Sequence, residues 1–273
     1  MRILGIDVGF STLKETSAYM IIEINATDIQ LVTEPTKFVV TDASSIFNSE
    51  LLNNIDIITI DAPLTTKEHL EKPNTGRTID KVFSGGKFTN SKRGPQPGSI
   101  STPKQGWPLY LAGMKLKRHF ETNRFTYISL VDKVNKNNNK VVLEVIPKLT
   151  QTLLIERNTL VERPKNRQID NYLFSYTFDK NSVFLKLFRD YKIDNMIHKL
   201  VELYKSNTNK YHEELAALIA TLQGVLYAID SYSIVGTHGE YEGSYLLPAI
   251  NYWNNEWKVE FFNRVEKYKC VVK

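Results

Sequence analysis

Two aspartates stand where strongly apolar runs stop. Asp7 closes the run RILGID and is followed by Val8-Gly9, and Asp61 closes IDIITI and is followed by Ala62-Pro63-Leu64. Runs this dense read as strands buried on both faces, and proline cannot continue a central ladder, so each carboxylate sits at a strand end and is partly desolvated. Two such carboxylates facing each other cost several kcal/mol, or one of them takes up a proton. A divalent cation removes the conflict, and Mg²⁺ or Mn²⁺ takes oxygen ligands of this kind. Paired ions about 4 Å apart can activate a water and stabilise the leaving oxygen of a phosphodiester. The alternative is that Asp7 and Asp61 only cap neighbouring loops by accepting backbone N–H bonds.

Further acids are candidates for the same edge. Glu144 lies inside VVLEVIP, where a charge is normally excluded. It joins the acidic edge, binds Arg77, or faces solvent from an edge strand. His212, Glu213 and Glu214 open an apolar helical stripe. The glutamates serve as metal ligands or simply complement the helix dipole. His212 is a general acid or base, or an ordinary surface residue.

The elements that must position these residues can be read in order. Residues 2–8, Ser17 to Ile24 and about Ile29 to Val40 form an antiparallel three-strand meander, with Asn25 and Asp28 in a turn. Ser44 to Asn53 fits a short helix, and Ile55 to Ile60 a fourth strand. A basic loop insertion at about 65–107 follows, rich in Gly, Pro, Ser and Thr and carrying Lys67, Lys72, Arg77, Lys81, Lys87, Lys92, Arg93 and Lys104. Loops this long are functional or disordered. Pro108 to Phe120 reads as a helix, Val141 to Ile146 as a fifth strand, and about 158–209 as a helical insertion. The strongest helix spans about Tyr211 to Ile229, with Leu215, Leu218, Ile219, Leu222, Val225, Leu226 and Ile229 at helical spacing. Ile234 to Gly236 reads as a short edge strand, and the rest, through Trp253, Trp257 and Phe262, as an irregular tail. The sum is a single α/β domain over 1–273. It has a mixed sheet, three antiparallel strands followed by parallel ones, with flanking helices: the strand order of ribonuclease H-like folds. In that arrangement the first and fourth strands are neighbours, and Asp7 and Asp61 share one edge.

The totals set bounds. A chain of 273 residues, 42% hydrophobic and 24% charged, can bury one large core. No run of about 18 apolar residues spells a membrane span, and the N-terminus reads as a strand rather than a signal peptide. The single Cys270 forms no internal disulfide and no thiolate cluster, which makes a reducing, cytoplasmic setting the default. A net charge of +5 is a weak pull toward nucleic acid.

Taken together, several fragments resemble a known family. They are Gly5-Ile6-Asp7-Val8-Gly9, Ile60-Asp61-Ala62-Pro63-Leu64, Arg77-Thr78-Ile79-Asp80, Glu144-Val145-Ile146-Pro147, His212-Glu213-Glu214-Leu215-Ala216-Ala217-Leu218, and Glu242-Gly243 with Pro248. The ordered set is similar to domain of unknown function 429, regarded as predicted nucleases of the ribonuclease H-like superfamily. The resemblance implies a magnesium- or manganese-dependent nuclease in which Asp7, Asp61 and Glu213 hold metal. Asp7, Asp61, Glu144, Glu213 and Glu214 would be catalytic, and Ser11, Arg77, Asp80, Lys148 and His212 would bind substrate. Arg77 would grip a phosphate with its planar fork, or form a surface pair with Asp80 of little energetic value. One departure stands out: the family's last helix opens on an Asp-Ala pair, and this chain has Ala216-Ala217. Two other readings follow. The first is a binding module that kept the fold and lost the chemistry, for which Ala216 speaks. The second is an actin-like phosphotransferase, because Asp7-Val8-Gly9-Phe10-Ser11-Thr12 resembles that group's first phosphate loop, although no second Gly-rich motif or duplicated domain is present.

Overall fold

The computed structural model describes residues 1–9, 11, 13–26, 28–65, 77–83, 106–129, 140–156, 168–189, 191, 196–197, 200, 211–238 and 242–273. The basic loop's Lys67, Lys72, Lys87, Lys92, Arg93 and Lys104, and much of the 158–209 insertion, lie outside the described residues.

Strands β1 (Arg2–Asp7), β2 (Ser17–Ile24) and β3 (Ile29–Phe38) form the expected antiparallel meander. Two short helices follow, α1 (Ala43–Ile46) and α2 (Ser49–Asn53), where the sequence reads as one. The break has a local cause: the Asn48 side chain accepts the Leu51 N–H at 2.9 Å and starts a new helix there. Strand β4 (Ile57–Asp61), helix α3 (Thr78–Phe83), helix α4 (Gly106–Thr122), strand β5 (Thr126–Tyr127) and strand β6 (Val141–Val145) come next. Pro147 opens helix α5 (Pro147–Leu153), where its missing N–H would be unpaired anyway. Helices α6 (Gln168–Thr177) and α7 (Val183–Lys186) lie in the 158–209 insertion. Helix α8 (His212–Ala228) leads to β7 (Tyr232–Gly236), β8 (Ser244–Pro248), α9 (Asn255–Tyr268) and β9 (Val271–Val272).

Among the described residues one sheet runs in the order β3-β2-β1-β4-β6-β8-β7-β9, with β5 beside β6. Strands β1, β4, β6 and β8 are mutually parallel, and β7 runs antiparallel to β8 and β9. The protein is thus an α/β molecule with a mixed sheet and flanking helices. None of the described helices is long and apolar enough to cross a membrane.

Two expectations for the C-terminal part are corrected. The strand at Ile234 is not an edge, because β7 is paired on both sides. The tail is not irregular: it supplies an inner strand, β8, and the 14-residue helix α9. Few apolar residues mark α9, yet Trp257 and Phe261, one turn apart, are wholly buried. Arg264 reaches back to the carbonyls of Lys81 and Val82 at the end of α3, while Trp257 donates its indole N–H to Ile155 O at 2.9 Å. Long-range polar ties of this kind leave no mark in a local pattern.

Alternation along the strands sends residues to two layers. Leu4, Ile6, Ile58 and Ile60 pack with Leu109, Tyr110 and Phe120 near α4. Ile3 and Ile57 pack with Leu218, Leu222 and Val225 of α8. Each such fully buried side chain contributes about 1.5–3 kcal/mol. Helix α8 meets β1 almost backbone to backbone. A Cβ on Gly5 would lie 2.4 Å from Thr221 N, and one on Gly224 would lie 2.5 Å from Ile3 Cγ2. Thr59 Oγ1 adds a hydrogen bond to Ala220 O at 2.8 Å.

Candidate functional site

The register answers the question the two aspartates raise. Asp7 pairs with Asp61 across the parallel β1–β4 ladder, one residue beside the other. Paired neighbours in a ladder point to the same side of a sheet. Asp7 follows Ile3 and Gly5 by two-residue steps, and Asp61 follows Ile57 and Thr59, so both carboxylates leave the sheet on the α8 side. The helix runs against the strand, with Gly224 over Ile3 and Thr221 over Gly5. One further turn toward its start brings the helix to the level of Asp7 near Ala217, and the turn beyond that carries Glu213 and Glu214.

The charges agree with that geometry. Burial first, then the charges of Asp61 and Glu213, hold the Asp7 carboxyl well above the usual carboxylate range, and Glu214 adds to the effect. Burial likewise pushes Asp61 up to about 7, with Lys148 and the hydrogen bond from Asp7 pulling the other way. The two acids interact, so their ionisations are coupled and belong to the pair rather than to either residue. Asp7, Asp61, Glu213 and Glu214 are brought together by β1, β4 and the first turn of α8.

A lysine that the sequence did not single out completes the group. Lys37 Nζ lies 3.1 Å from Glu213 Oε2 and 3.6 Å from Glu214 Oε2. Burial works against the ammonium, but the Glu213 hydrogen bond and both glutamate charges outweigh it and raise its pKa. Lys37 belongs to an ordinary polar-alternating strand, so nothing local marks it. Only the register Lys37–Ala18–Asp7–Asp61 across four strands does.

Glu144 stands apart from this cluster. Its register partner on β4 is Ile60, so it leaves the sheet on the opposite side from Asp61. There it meets Arg77 in a two-pronged pair, 2.6 and 2.7 Å, and accepts the Leu64 N–H at 2.9 Å. Arg77 also donates to Asp80 at 2.8 Å, to Leu64 O at 2.6 Å and to Tyr245 Oη at 3.0 Å. Tyr245 closes the ring with a short hydrogen bond to Asp80. These groups are all nearly inaccessible to solvent. Burial pushes Glu144 up to about 7 against the pull of Arg77. Glu242 takes the Thr78 and Ile79 N–H groups at the start of α3, and Gly243 lies so close that a Cβ would meet Leu64 O at 2.3 Å.

Two expectations change here. The guanidinium of Arg77 is occupied by internal acceptors on every nitrogen, so it is a tie between β4, β6 and α3 rather than a fork offered to phosphate. Its pair with Asp80 is buried, not a surface pair. Asp80 and Glu144 accordingly serve the same tie.

A cavity of about 460 Å³ opens at these strand ends, within the size range of small-molecule sites. Its walls include Ser11, Lys148, His212 and Glu213 along with the two aspartates. Ala216 also lines it. Lys148 is close enough to Asp61 to lower its pKa. In the loop after β1, Gly9 N–H is taken by Ser17 Oγ at 2.9 Å and Ser11 N–H by Thr16 Oγ1 at 3.3 Å. Those amides are therefore engaged with side chains of β2 and its approach rather than presented to a phosphate.

The donor set fits a hard divalent ion in part. Two adjacent carboxylates without a cation between them are suited to Mg²⁺, which is commonly held by one or two carboxylates plus water. Glu214, 7% exposed, has a buried Oε2 that accepts no hydrogen bond. Among the described residues no three His, Cys, Asp or Glu side chains are grouped closely enough to hold an ion on their own. Comparison with family models, with curated proteins and with solved structures found no match, so the chemistry of this site rests on its geometry.

Proposed function

We propose that this chain is a Mg²⁺- or Mn²⁺-dependent phosphodiesterase of ribonuclease H-like architecture, with nucleic acid as its substrate class. The single observation that carries the reading is the in-register pair Asp7–Asp61, two desolvated carboxylates on neighbouring parallel strands that open into a cavity. The strand order β3-β2-β1-β4-β6, antiparallel then parallel, supports the architecture, and kinship with domain of unknown function 429 is part of the same proposal.

Asp7 and Asp61 would hold the ion, with Glu213 the nearest further carboxylate. A bound ion would supply positive charge at the phosphate and lower the pKa of a coordinated water. Lys148, beside Asp61 at the cavity wall, adds a cation suited to a phosphate oxygen. His212, exposed at the start of α8, is placed to exchange protons at the cavity mouth. The basic residues of the 65–107 stretch would add salt-dependent affinity for a nucleic-acid backbone.

The test is cleavage of labelled single- and double-stranded DNA and RNA with Mg²⁺ or Mn²⁺. Cleavage that falls at least about a hundredfold in Asp7→Asn supports the reading, a loss on the scale that general acid–base groups contribute. Cleavage that survives in that variant, or none with any substrate, sinks it. One observation favours a second reading, a binding module without chemistry: Ala216 faces the cavity where a further carboxylate would complete the ligand set. Nucleic acid bound without cleavage, and no Mn²⁺ affinity, would select it. The actin-like phosphotransferase is disfavoured by the engaged Gly9 and Ser11 amides.

A further inference from the structure

Four residues lie in one row across the sheet: Lys37 on β3, Ala18 on β2, Asp7 on β1 and Asp61 on β4. Their side chains share the α8 face, and with strands about 4.8 Å apart the lysine backbone stands roughly 10 Å from Asp7. Ala18, between them, is too small to fill the space. The Lys37 ammonium crosses this gap toward the start of α8 and ends 3.1 Å from Glu213 and 3.6 Å from Glu214. Glu213 is thereby turned to an internal cation, although it lines the same cavity as the aspartates.

We propose that Lys37 sets the ligand number of the site: by engaging Glu213 it restricts a divalent ion to Asp7 and Asp61. This inference rests on the proposed metal site. The ammonium is a tethered positive charge held against Glu213 Oε2 and Glu214 Oε2, so it competes with a divalent ion for Glu213. Wild-type affinity is then that of a two-carboxylate site completed by water. Release of Glu213 adds a third carboxylate and tightens binding.

Mn²⁺ titration followed by electron paramagnetic resonance, on the full chain without nucleic acid, tests this in the wild type and four variants. The expected results are about tenfold tighter binding for Lys37→Gln, no change for Lys37→Arg, and little change for Glu213→Gln. In the double variant Lys37→Gln/Glu213→Gln the gain should disappear. A gain that persists in the double variant is the long-range effect of deleting a charge, and it overturns the inference. So does unchanged or weaker binding in Lys37→Gln. If the wild type binds no Mn²⁺ but Lys37→Gln does, and only with Glu213 intact, the inference holds while the wild-type metal site fails. If no variant binds, both fail. Circular dichroism of each variant, with a native spectrum required, separates lost folding from lost ligation.

Discussion

Two groups of acids lie beside the C-terminal ends of the parallel strands and meet different fates. On the α8 side, Asp7 and Asp61 face each other across neighbouring strands, and burial raises both pKa values, as it does that of Glu144. On the other side, Glu144 and Asp80 are equally buried but share one guanidinium, which is itself saturated by their oxygens, Leu64 O and Tyr245 Oη. One group is closed and the other open. A buried acid becomes a structural tie when a fixed arginine completes it, and a candidate site when completion must come from outside.

The comparison breaks most sharply at Arg77. Arg77→Met leaves Glu144 and Asp80 buried without a counter-charge and should destabilise the chain by about 3–5 kcal/mol, read from urea unfolding. A loss under 1 kcal/mol would mean that the network is ornamental. The open pair should behave in the reverse sense. Asp61→Asn removes a carboxylate that is costly to ionise and should stabilise the metal-free chain at pH 8 by about 1–3 kcal/mol.

The pH dependence follows from the same pair. Unfolded aspartates ionise near pH 4, whereas Asp61 in the folded chain does so at about 7 and Asp7 well above the usual carboxylate range. Below about pH 4 both states are protonated and the pair has no effect. As pH rises from there to about 7, the unfolded chain gives up protons that the folded chain keeps, so stability falls across that window. Above about 7 Asp61 ionises in the folded chain too, and its share of the loss levels off. Metal-free wild type should lose about 1–2 kcal/mol between pH 5 and pH 8 relative to Asp61→Asn, and added Mn²⁺ should restore it. A wild-type curve parallel to that of the variant would end the reading of a desolvated, coupled pair. The smallest effect belongs to Glu242→Gln, which weakens the cap on α3 and should cost about 0.5–1 kcal/mol in thermal unfolding without changing Mn²⁺ affinity.

The sequence made the open pair legible because strand-end aspartates announce themselves: a dense apolar run, an acid, then Gly or Pro. The meander, β4, β6 and α8 were legible for the same reason, each being a long run with one dominant period. Glu144 could be seen as anomalous but not assigned, since its role depends on Arg77, 67 residues away. Lys37 and Tyr245 could not be found at all. Each looks ordinary in its own strand, and only cross-strand register brings it to an acid. Helix α9 was missed because its charged residues hide a narrow stripe, and it is anchored by Trp257 and Arg264 to distant segments.

The glycine contacts between α8 and β1 have a consequence for how the cavity can move. With Gly5 under Thr221 and Gly224 over Ile3, no flexible side chain cushions the two backbones. The helix can tilt on that seam but cannot slide along it without a steric clash. The spacing between its first turn and the strand ends is therefore set by backbone contact rather than by adjustable side-chain packing.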